Sequence, residues 1–313
     1  MKSDTRVIKL APIFQQKIWG GRNLAEYFNN LPNGNIGECW LISAHPHGDT
    51  TVANGPFAGL PLSKVYNENR HLFGNDQSAD FPLLVKIIDA TDNLSIQVHP
   101  DDFYAKKCGE KHGKEEAWLI LKAPPTKKII LGHHATSKEQ FSALITNHKW
   151  DELLKHEYID DHYFVPVSPG TIHSILSGTL LLEIQQSSDL TYRVYDYDRL
   201  DNGTKRVLHI QEALTVTNIP DTSIKPRLAP QSMTRKHQLY QGNYFVINTL
   251  RITNTYTFKN VAYYHLLVVT AGYGKINGNP CARGDAFILT TSKHPLTIEG
   301  DLELVITTPE RND

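Results

Sequence analysis

Three short stretches of this 313-residue chain carry side chains that are suited to binding a metal ion. Gln97 and His99 are two residues apart at the end of an apolar run, so on a strand they point to the same face. Glu116 and His173 stand where two further apolar runs open. Together the four residues offer two imidazole nitrogens, one carboxylate and one amide oxygen. This set predicts a site for a divalent cation with room left for water or substrate.

The charge of this ligand set indicates the chemistry of the site. A single carboxylate, with neutral imidazoles and a neutral amide, leaves a bound dication with a net positive charge. Such a centre would stabilise an oxyanion on a bound substrate.

Cationic side chains in unusual positions extend the prediction to an anionic substrate. Lys86 interrupts an apolar run, and a lysine inside a core strand is costly unless it faces a polar cavity. Arg193 lies in the polar stretch Glu183–Arg199, which fits either an exposed edge strand or a pocket wall. In a pocket wall its guanidinium would bind an oxyanion or a phosphate, and Lys114 would add a further charge.

A second pair of histidines has the same spacing but a different context. Pro46 separates His45 from His47 and disfavours a regular central strand, and Gly48-Asp49 follows. We therefore predict a turn here rather than a second metal site.

The elements that must position these residues are mostly short strands. Many apolar runs are β-branched or aromatic and are separated by gaps too short for the helices of a parallel sheet. They predict a mainly β fold of antiparallel barrel or jelly-roll type, with strands at Cys39–Ser43, Phe81–Ile88, Leu94–Val98, Ala117–Leu121, Lys128–Leu131, Tyr163–Val167, Thr179–Ile184, Arg193–Tyr195, Tyr244–Ile252, Tyr264–Thr270, Ala286–Thr290 and Leu302–Thr307.

Helices are predicted in a few places only. A capping-box pattern begins at Ser137, a second helical stretch lies near Trp150–Lys155, and others lie within Leu60–Phe73 and Ile210–Val216. A proline-containing linker is predicted around Asn218–Gln238. The predicted organisation is a domain at residues 1–235 with a helical insertion at about 137–157, and a smaller β-barrel at 236–313.

Composition limits the possible partners and location. The chain has 32 Lys and Arg against 33 Asp and Glu, a net charge of −1, which gives no reason to expect nucleic acid. We find no signal-peptide pattern and no apolar stretch long enough to span a membrane. Three widely separated cysteines argue against a disulfide framework and favour a cytoplasmic protein. The oligomeric state is not predicted.

Six motifs, taken in their order along the chain, resemble those of the type I mannose-6-phosphate isomerase (phosphomannose isomerase) family of the cupin superfamily, in its short bacterial form. The most specific is Ser95–Asp102, which reads SIQVHPDD. The others are Lys17–Gly21, Gly37–Pro46, Gly113–Trp118, Pro169–His173 and Gln185–Arg199. Glu115 departs from the family pattern because a small or apolar residue is commoner there.

The resemblance implies a fold of two cupin-like jelly-roll barrels and a zinc-dependent interconversion of mannose 6-phosphate and fructose 6-phosphate through a cis-enediol. Other divalent metals are compatible with the site. Matched by motif, the metal ligands are Gln97, His99, Glu116 and His173. Glu116 is chosen over Glu115 from its spacing to Trp118.

The resemblance also implies roles for the residues around the metal. Arg193, Lys114 and Glu183 are the expected catalytic residues, and Ser95, Lys86 and Asp189 are the expected substrate-binding residues. The base stays open among Glu183, Lys114 and a metal-bound hydroxide, with His99 eligible only if it is not a ligand.

Three other functions are considered. An iron-dependent oxygenase would use two histidines and one carboxylate, but the additional Gln97 argues against it. A non-catalytic sugar-binding barrel would need neither Lys86 nor Arg193 in its pocket. An isomerase acting on glucose 6-phosphate is the third, and the motifs favour mannose 6-phosphate.

Overall fold

The computed structural model describes residues 5–230 and 236–311, and its secondary structure is mainly β. In its N-terminal part the strands are β1 (Val7–Ala11), β2 (Ile13–Gly21), β3 (Ile36–Ile42), β4 (Ala44–His45), β5 (Gly48–Asp49), β6 (Thr51–Val52), β7 (Leu83–Ala90), β8 (Ile96–Val98), β9 (Glu116–Lys122), β10 (Lys128–His133), β11 (Leu154–Tyr158), β12 (Tyr163–Val167) and β13 (His173–Ser174). The later strands are β14 (Thr179–Gln186), β15 (Tyr192–Tyr195), β16 (Leu200–Asp201), β17 (Thr204–Lys205), β18 (Arg227–Leu228), β19 (His237–Gln241), β20 (Phe245–Ile252), β21 (Thr255–Phe258), β22 (His265–Ile276), β23 (Asn279–Ala282), β24 (Ala286–Leu289) and β25 (Leu296–Pro309).

Helices are short and lie between the strands. The α-helices of the described residues are α1 (Leu62–Glu68), α2 (Asp102–Lys107), α3 (Lys138–Thr146), α4 (Trp150–Leu153) and α5 (Ile210–Val216). Single turns of 3-10 helix occur at Asn23–Glu26, Gly55–Phe57 and Arg70–Phe73. In the part of the chain that the structure describes, no helix is both long and apolar enough to cross a membrane.

Three antiparallel sheets form the body of the molecule. A five-stranded sheet has the order β11-β10-β13-β8-β15, and a seven-stranded sheet has the order β18-β12-β9-β14-β7-β3-β2. A nine-stranded sheet follows the path β19-β20-β25-β22-β24-β1-β6, with β21 and β23 attached to β25 and β22. The antiparallel, mainly β prediction is confirmed. Within the described residues each path is open at both ends.

The sheets pack as layers because successive side chains of each strand point to opposite faces, and apolar side chains occupy both faces of the seven-stranded sheet. The inner faces of the five- and seven-stranded sheets share a core that includes Leu131, Trp118 and Leu181. The other face of the seven-stranded sheet packs on the nine-stranded sheet, through residues such as Leu182 and Val268. Helices α2, α3, α4 and α5 cover the outer face of the five-stranded sheet. Polar side chains on the facing surfaces of the five- and seven-stranded sheets are therefore enclosed between these two sheets.

The helical segment after residue 136 is shorter than predicted. α3 begins where the capping pattern places it, and Ser137 Oγ accepts a hydrogen bond from the Gln140 backbone N–H at 3.2 Å. The second predicted helical stretch, near Trp150–Lys155, is only partly right. α4 ends at Leu153, and Leu154 begins β11 because this segment pairs with β10, Lys128 opposite Tyr158. Pairing with a distant strand overrides the local helical pattern.

The first strand of the chain joins the last sheet. β1, for which no strand is predicted from sequence, pairs with β24 through Val7 opposite Leu289. The nine-stranded sheet therefore takes strands from both predicted domains. The predicted boundary lies beside residues 231–235, which are outside the described residues, and the predicted linker contains β18, paired with β12. The division at 235 and 236 stays a prediction.

Candidate active site and metal centre

Side chains suited to metal binding from the five-stranded and the seven-stranded sheet meet in one buried cluster. His173 lies directly opposite Gln97 in the pairing of β13 with β8, and His99 follows β8. Glu116 reaches them from β9 of the facing sheet: its carboxylate oxygens lie 3.4 Å from Nε2 of His99 and 3.5 Å from Nε2 of His173. The three residues are buried, and their ligand atoms lie within 4.8 Å of one another.

Backbone carbonyls fix the tautomers of both histidines. Nδ1 of His99 lies 2.8 Å from the carbonyl oxygen of Leu190, and Nδ1 of His173 lies 2.9 Å from that of Thr171. A carbonyl only accepts, so each Nδ1 carries the hydrogen and each Nε2 presents a lone pair to the cluster. Burial lowers the pKa of His173 to about 4 and that of His99 well below its usual value. Both rings are therefore neutral, as ligation requires.

The carboxylate of Glu116 lacks the partners that burial demands. Among the described residues neither of its oxygens has a hydrogen-bond partner, although Lys114 Nζ lies 2.9 Å from Oε2. Burial, followed by the charge of Glu183, raises the pKa of Glu116 to about 7. A single ammonium group satisfies only part of a buried carboxylate, and the remaining lone pairs are unfavourable unless another group compensates them. A divalent cation fits this requirement and the donor set.

Gln97 completes the ring of donors at this centre. Its Nε2 lies 3.2 Å from His173 Nε2 and 3.5 Å from His99 Nε2, and its Oε1 accepts from the Ser95 hydroxyl at 2.9 Å. The oxygen and nitrogen of a glutamine amide are distinguished only by their partners. The two imidazole lone pairs favour the amide nitrogen on the inner side, as observed. A cation bound to those lone pairs would instead favour the amide oxygen there, with the amide nitrogen donating to Ser95.

Strand alternation decides which of two adjacent glutamates faces the cluster. Glu116 and Lys114 point into the space between the five- and seven-stranded sheets. Glu115 points to the opposite face of the seven-stranded sheet, toward the nine-stranded sheet. There the Glu115 carboxylate accepts a hydrogen bond from the Tyr240 hydroxyl at 3.1 Å. The structure thus places Glu116, and not Glu115, beside the two histidines.

A charged row on the seven-stranded sheet forms the wall beside the cluster. Lys86 pairs in register with Glu183, and its Nζ lies 2.7 Å from Glu183 Oε2 and 3.6 Å from Glu38 Oε1. Burial opposes the charged forms, yet Glu183 and Glu38 raise the pKa of Lys86 above its usual value. Burial alone would raise the pKa of Glu38, but Lys86 and Lys17 lower it to about 2. Burial would likewise raise the pKa of Glu183, but Lys86 and Lys114 lower it below its usual value. This wall is ionised at neutral pH.

Arg193 adds a charged side chain from the five-stranded sheet. It lies directly across from Gln97 in the pairing of β15 with β8. Its Nε is buried and has no hydrogen-bond partner among the described residues. Burial, with a smaller contribution from Arg206, lowers the pKa of Arg193, but a guanidinium remains charged in proteins. An uncompensated donor of this kind is suited to an anionic atom of a bound molecule.

One cavity brings these predicted residues together. It has a volume of about 270 Å³, and its walls include Lys86, Ser95, Gln97, Lys114, Glu183, Asp189 and Arg193. Sequence reasoning missed Glu38 and Arg206, which also line it. Glu38 alternates with Trp40 along β3, a pattern that marks one face of a strand, whereas nothing in the sequence around Arg206 distinguishes it from a surface arginine.

The histidine pair at residues 45 and 47 lies at the rim of the cavity with Asp189. As predicted, His45 and Gly48 pair across a turn, in β4 and β5. The two rings and the Asp189 carboxylate are close enough to share a cation. However, His45 Nδ1 accepts the backbone N–H of His47 at 3.2 Å, so the hydrogen of the neutral ring is on Nε2. This tautomer favours contact with the Asp189 carboxylate over metal ligation.

The fold and the site are those of an antiparallel β protein with a buried His/Glu cluster suited to a metal ion and a cavity lined by charged side chains. Comparison with known proteins is more specific. Residues 7–149 match the model for the phosphomannose isomerase type I catalytic domain, and residues 235–309 match the mannose-6-phosphate isomerase cupin domain. The chain therefore belongs to the type I phosphomannose isomerase family.

Individual relatives cover nearly the whole chain. It is 41% identical to a protein of Bacillus subtilis named probable mannose-6-phosphate isomerase GmuF, over 97% of this chain and 100% of that one. It is 40% identical to the mannose-6-phosphate isomerase of Streptococcus mutans, over 94% and 97% of the two chains. The crystal structure of a Bacillus subtilis mannose 6-phosphate isomerase superimposes with a TM-score of 0.90 at 38% identity, covering 97% of this chain and 99% of that chain.

Proposed function

We propose that this chain interconverts mannose 6-phosphate and fructose 6-phosphate through a cis-enediol, with the help of a divalent metal. One observation supports this most strongly: a buried His99–Glu116–His173 cluster lies beside a cavity lined by Lys86, Glu183 and Arg193. Gln97 and Lys114, which line that cavity, contact the cluster. The relatives named as mannose-6-phosphate isomerases support the choice of substrate.

The proposed metal is Zn²⁺, held by Gln97, His99, Glu116 and His173. Two neutral imidazoles, a carboxylate and an amide oxygen suit zinc, and other divalent ions are compatible. When bound, the metal supplies a Lewis acid that polarises oxygens of the substrate.

Residues of the chain itself would move the proton between C1 and C2. Glu183 is ionised, so its carboxylate can accept a proton, and Lys114 is the alternative group for this step. Lys86 stays protonated and cannot act as a base. The free Nε–H of Arg193 would stabilise the negative charge that develops on the enediolate oxygens.

The remaining contacts would fix the substrate in the cavity. Lys86 offers a positive charge to the sugar phosphate, and Ser95 and Asp189 offer a hydroxyl and a carboxylate to its polar groups. Fixing the substrate through these contacts would orient its reacting carbons relative to Glu183 and Lys114.

The proposed architecture behind this site is a pair of cupin-like jelly-roll barrels. The proposed metal ligands and catalytic residues all lie within the proposed domain 1–235, and the cupin-domain match supports the second barrel at 236–313. The three cysteines of the chain are free, which supports a cytoplasmic location.

An assay that couples fructose 6-phosphate formation to a colorimetric readout tests the proposal. The protein is first treated with a chelator, and then zinc, manganese, cobalt or iron is restored one at a time. We expect activity on mannose 6-phosphate to disappear on chelation and to return with at least zinc. Turnover of glucose 6-phosphate but not mannose 6-phosphate by the restored protein would contradict the proposed substrate.

A further inference from the structure

We infer that residues 240–244, which comprise the end of β19 and the turn into β20, position two of the proposed metal ligands. This inference rests on the proposed function, because it concerns the support of the same metal centre. The turn belongs to the C-terminal part of the chain, and it contacts the segments that carry Glu116 and His99 from behind. We call it the 240–244 turn.

The first contact is with Glu115, the residue next to Glu116 in the chain. The Tyr240 hydroxyl donates to Glu115 Oε1 at 3.1 Å. Burial raises the pKa of this carboxyl group, and Tyr240 and the nearby Asn243 lower it by a smaller amount. A Cβ atom at position 242 would lie 1.9 Å from Glu115 Oε1, so only glycine allows the turn to approach this closely. Glu115 is buried at 3% exposure. A buried carboxylate that accepts a hydrogen bond is restrained, and so is the backbone that leads to Glu116.

The second contact is with Asp102, three residues after His99. Tyr244 lines a separate cavity together with Asp102 and Gln186, and Asp102 Oδ1 accepts from Gly113 N at 2.8 Å and from Gln186 Nε2 at 3.0 Å. Gln186 in turn accepts the backbone N–H of Glu115 at 2.8 Å. One hydrogen-bonded network therefore joins the 240–244 turn to both segments that carry proposed ligands.

The turn itself is anchored in the largest sheet. β20 pairs with β25 from Phe245 opposite Pro309 to Ile252 opposite Leu302, and Glu310 N donates to the Tyr244 carbonyl at 2.8 Å. The nine-stranded sheet is thus a rigid base from which the turn holds the ligand segments. Tyr240 and Tyr244 touch neither the cluster nor the cavity beside it, so they act as positioning residues through Glu115 and Asp102.

Metal retention tests this inference directly. Zinc-loaded wild-type protein and the Tyr240→Phe variant are mixed with an excess of chromophoric chelator, and the rate of metal loss is recorded. We expect loss about tenfold faster from the variant, the range seen when outer-shell partners of metal ligands are removed. At saturating zinc its kcat should return toward the wild-type value, because no group in the cavity has changed.

Tyr264→Phe is the matched control. It also removes a tyrosine–carboxylate bond from the C-terminal part of the chain, since Tyr264 OH donates to Asp76 Oδ2 at 2.8 Å in the core between the seven- and nine-stranded sheets. We expect a similar fall in Tm but wild-type metal retention. Wild-type retention in Tyr240→Phe, or equal acceleration in both variants, would overturn the inference alone. A wild-type protein that holds no divalent metal would overturn the proposed function, and the inference with it.

Discussion

At the scale of single residues, the site depends on which groups are ionised. Buried His99 and His173 stay neutral with their Nε2 atoms turned inward, while Lys86, Glu38 and Glu183 stay charged because they compensate one another. Burial acts on all five in the same direction, against charge, and the partners decide the outcome. The cavity therefore combines lone pairs for a metal with fixed charges for a substrate.

Replacing Arg193 separates substrate chemistry from metal binding. Arg193→Ala removes the guanidinium but no proposed ligand, so we expect kcat to fall by about 10²-fold or more, the usual cost of losing a preorganised donor. Zinc content should stay at the wild-type value. Kinetics together with elemental analysis measure both quantities, and a large loss of metal from this variant would contradict the division of roles.

At the scale of secondary-structure elements, the alternation of side chains at the start of β9 decides which glutamate faces the cluster and which faces the 240–244 turn. The one-residue offset between Glu115 and Glu116 sends one carboxylate to the 240–244 turn and the other to the cluster. Helices, in contrast, cover the outer face of the five-stranded sheet and leave the cavity to the strands.

Loss of the α3 cap should therefore affect stability and not activity. Ser137 Oγ accepts the Gln140 backbone N–H, and Ser137→Ala removes this bond. We expect the free energy of unfolding to fall by about 1 kcal/mol, with kcat and KM unchanged. Urea denaturation measures the first quantity. Ser137→Asp, which restores a capping oxygen, should recover it, and an unchanged midpoint in Ser137→Ala would count against the cap.

In β22, His265 should make stability depend on pH. Burial, followed by the charge of Lys236, lowers the pKa of His265 from 6.5 to about 4. Between these values the unfolded chain binds a proton that the folded chain does not, so stability is full above pH 6.5 and falls as pH falls toward 4. The loss has an upper limit of about 3 kcal/mol. Urea denaturation at several pH values should show a flatter dependence for His265→Gln, and identical slopes would contradict this account.

At the scale of the whole molecule, local patterns predicted which side chains lie close together better than they predicted how the strands pair. Short motifs and the family resemblance named the residues that line the cavity, because a strand fixes which neighbours share a face. The pairing of β1 with β24 was missed, since Val7–Ala11 is short and its partner lies near the other end of the chain. The helical stretch predicted near Trp150–Lys155 extends into β11 for the same reason, since the pairing of β11 with β10 leaves no local signal in the sequence.

The shared sheet predicts a single unfolding unit. β1 and β6 from the N-terminal part belong to the nine-stranded sheet, and the seven-stranded sheet shares a core with it. We expect calorimetry of the chelated protein to show one cooperative transition. Ile8→Ala, in that shared core, should lower the whole transition by about 2–4 kcal/mol in stability. Two separate transitions, with only one shifted by Ile8→Ala, would contradict this prediction.

The central claim is that catalysis depends on a metal held by the buried His/Glu cluster. The most direct test measures mannose 6-phosphate turnover and zinc content together in the wild-type and His99→Ala proteins, before and after chelation. The account predicts that His99→Ala folds, as shown by circular dichroism, but holds no stoichiometric zinc and has no isomerase activity. Full activity in chelator-treated, metal-free His99→Ala protein would contradict it.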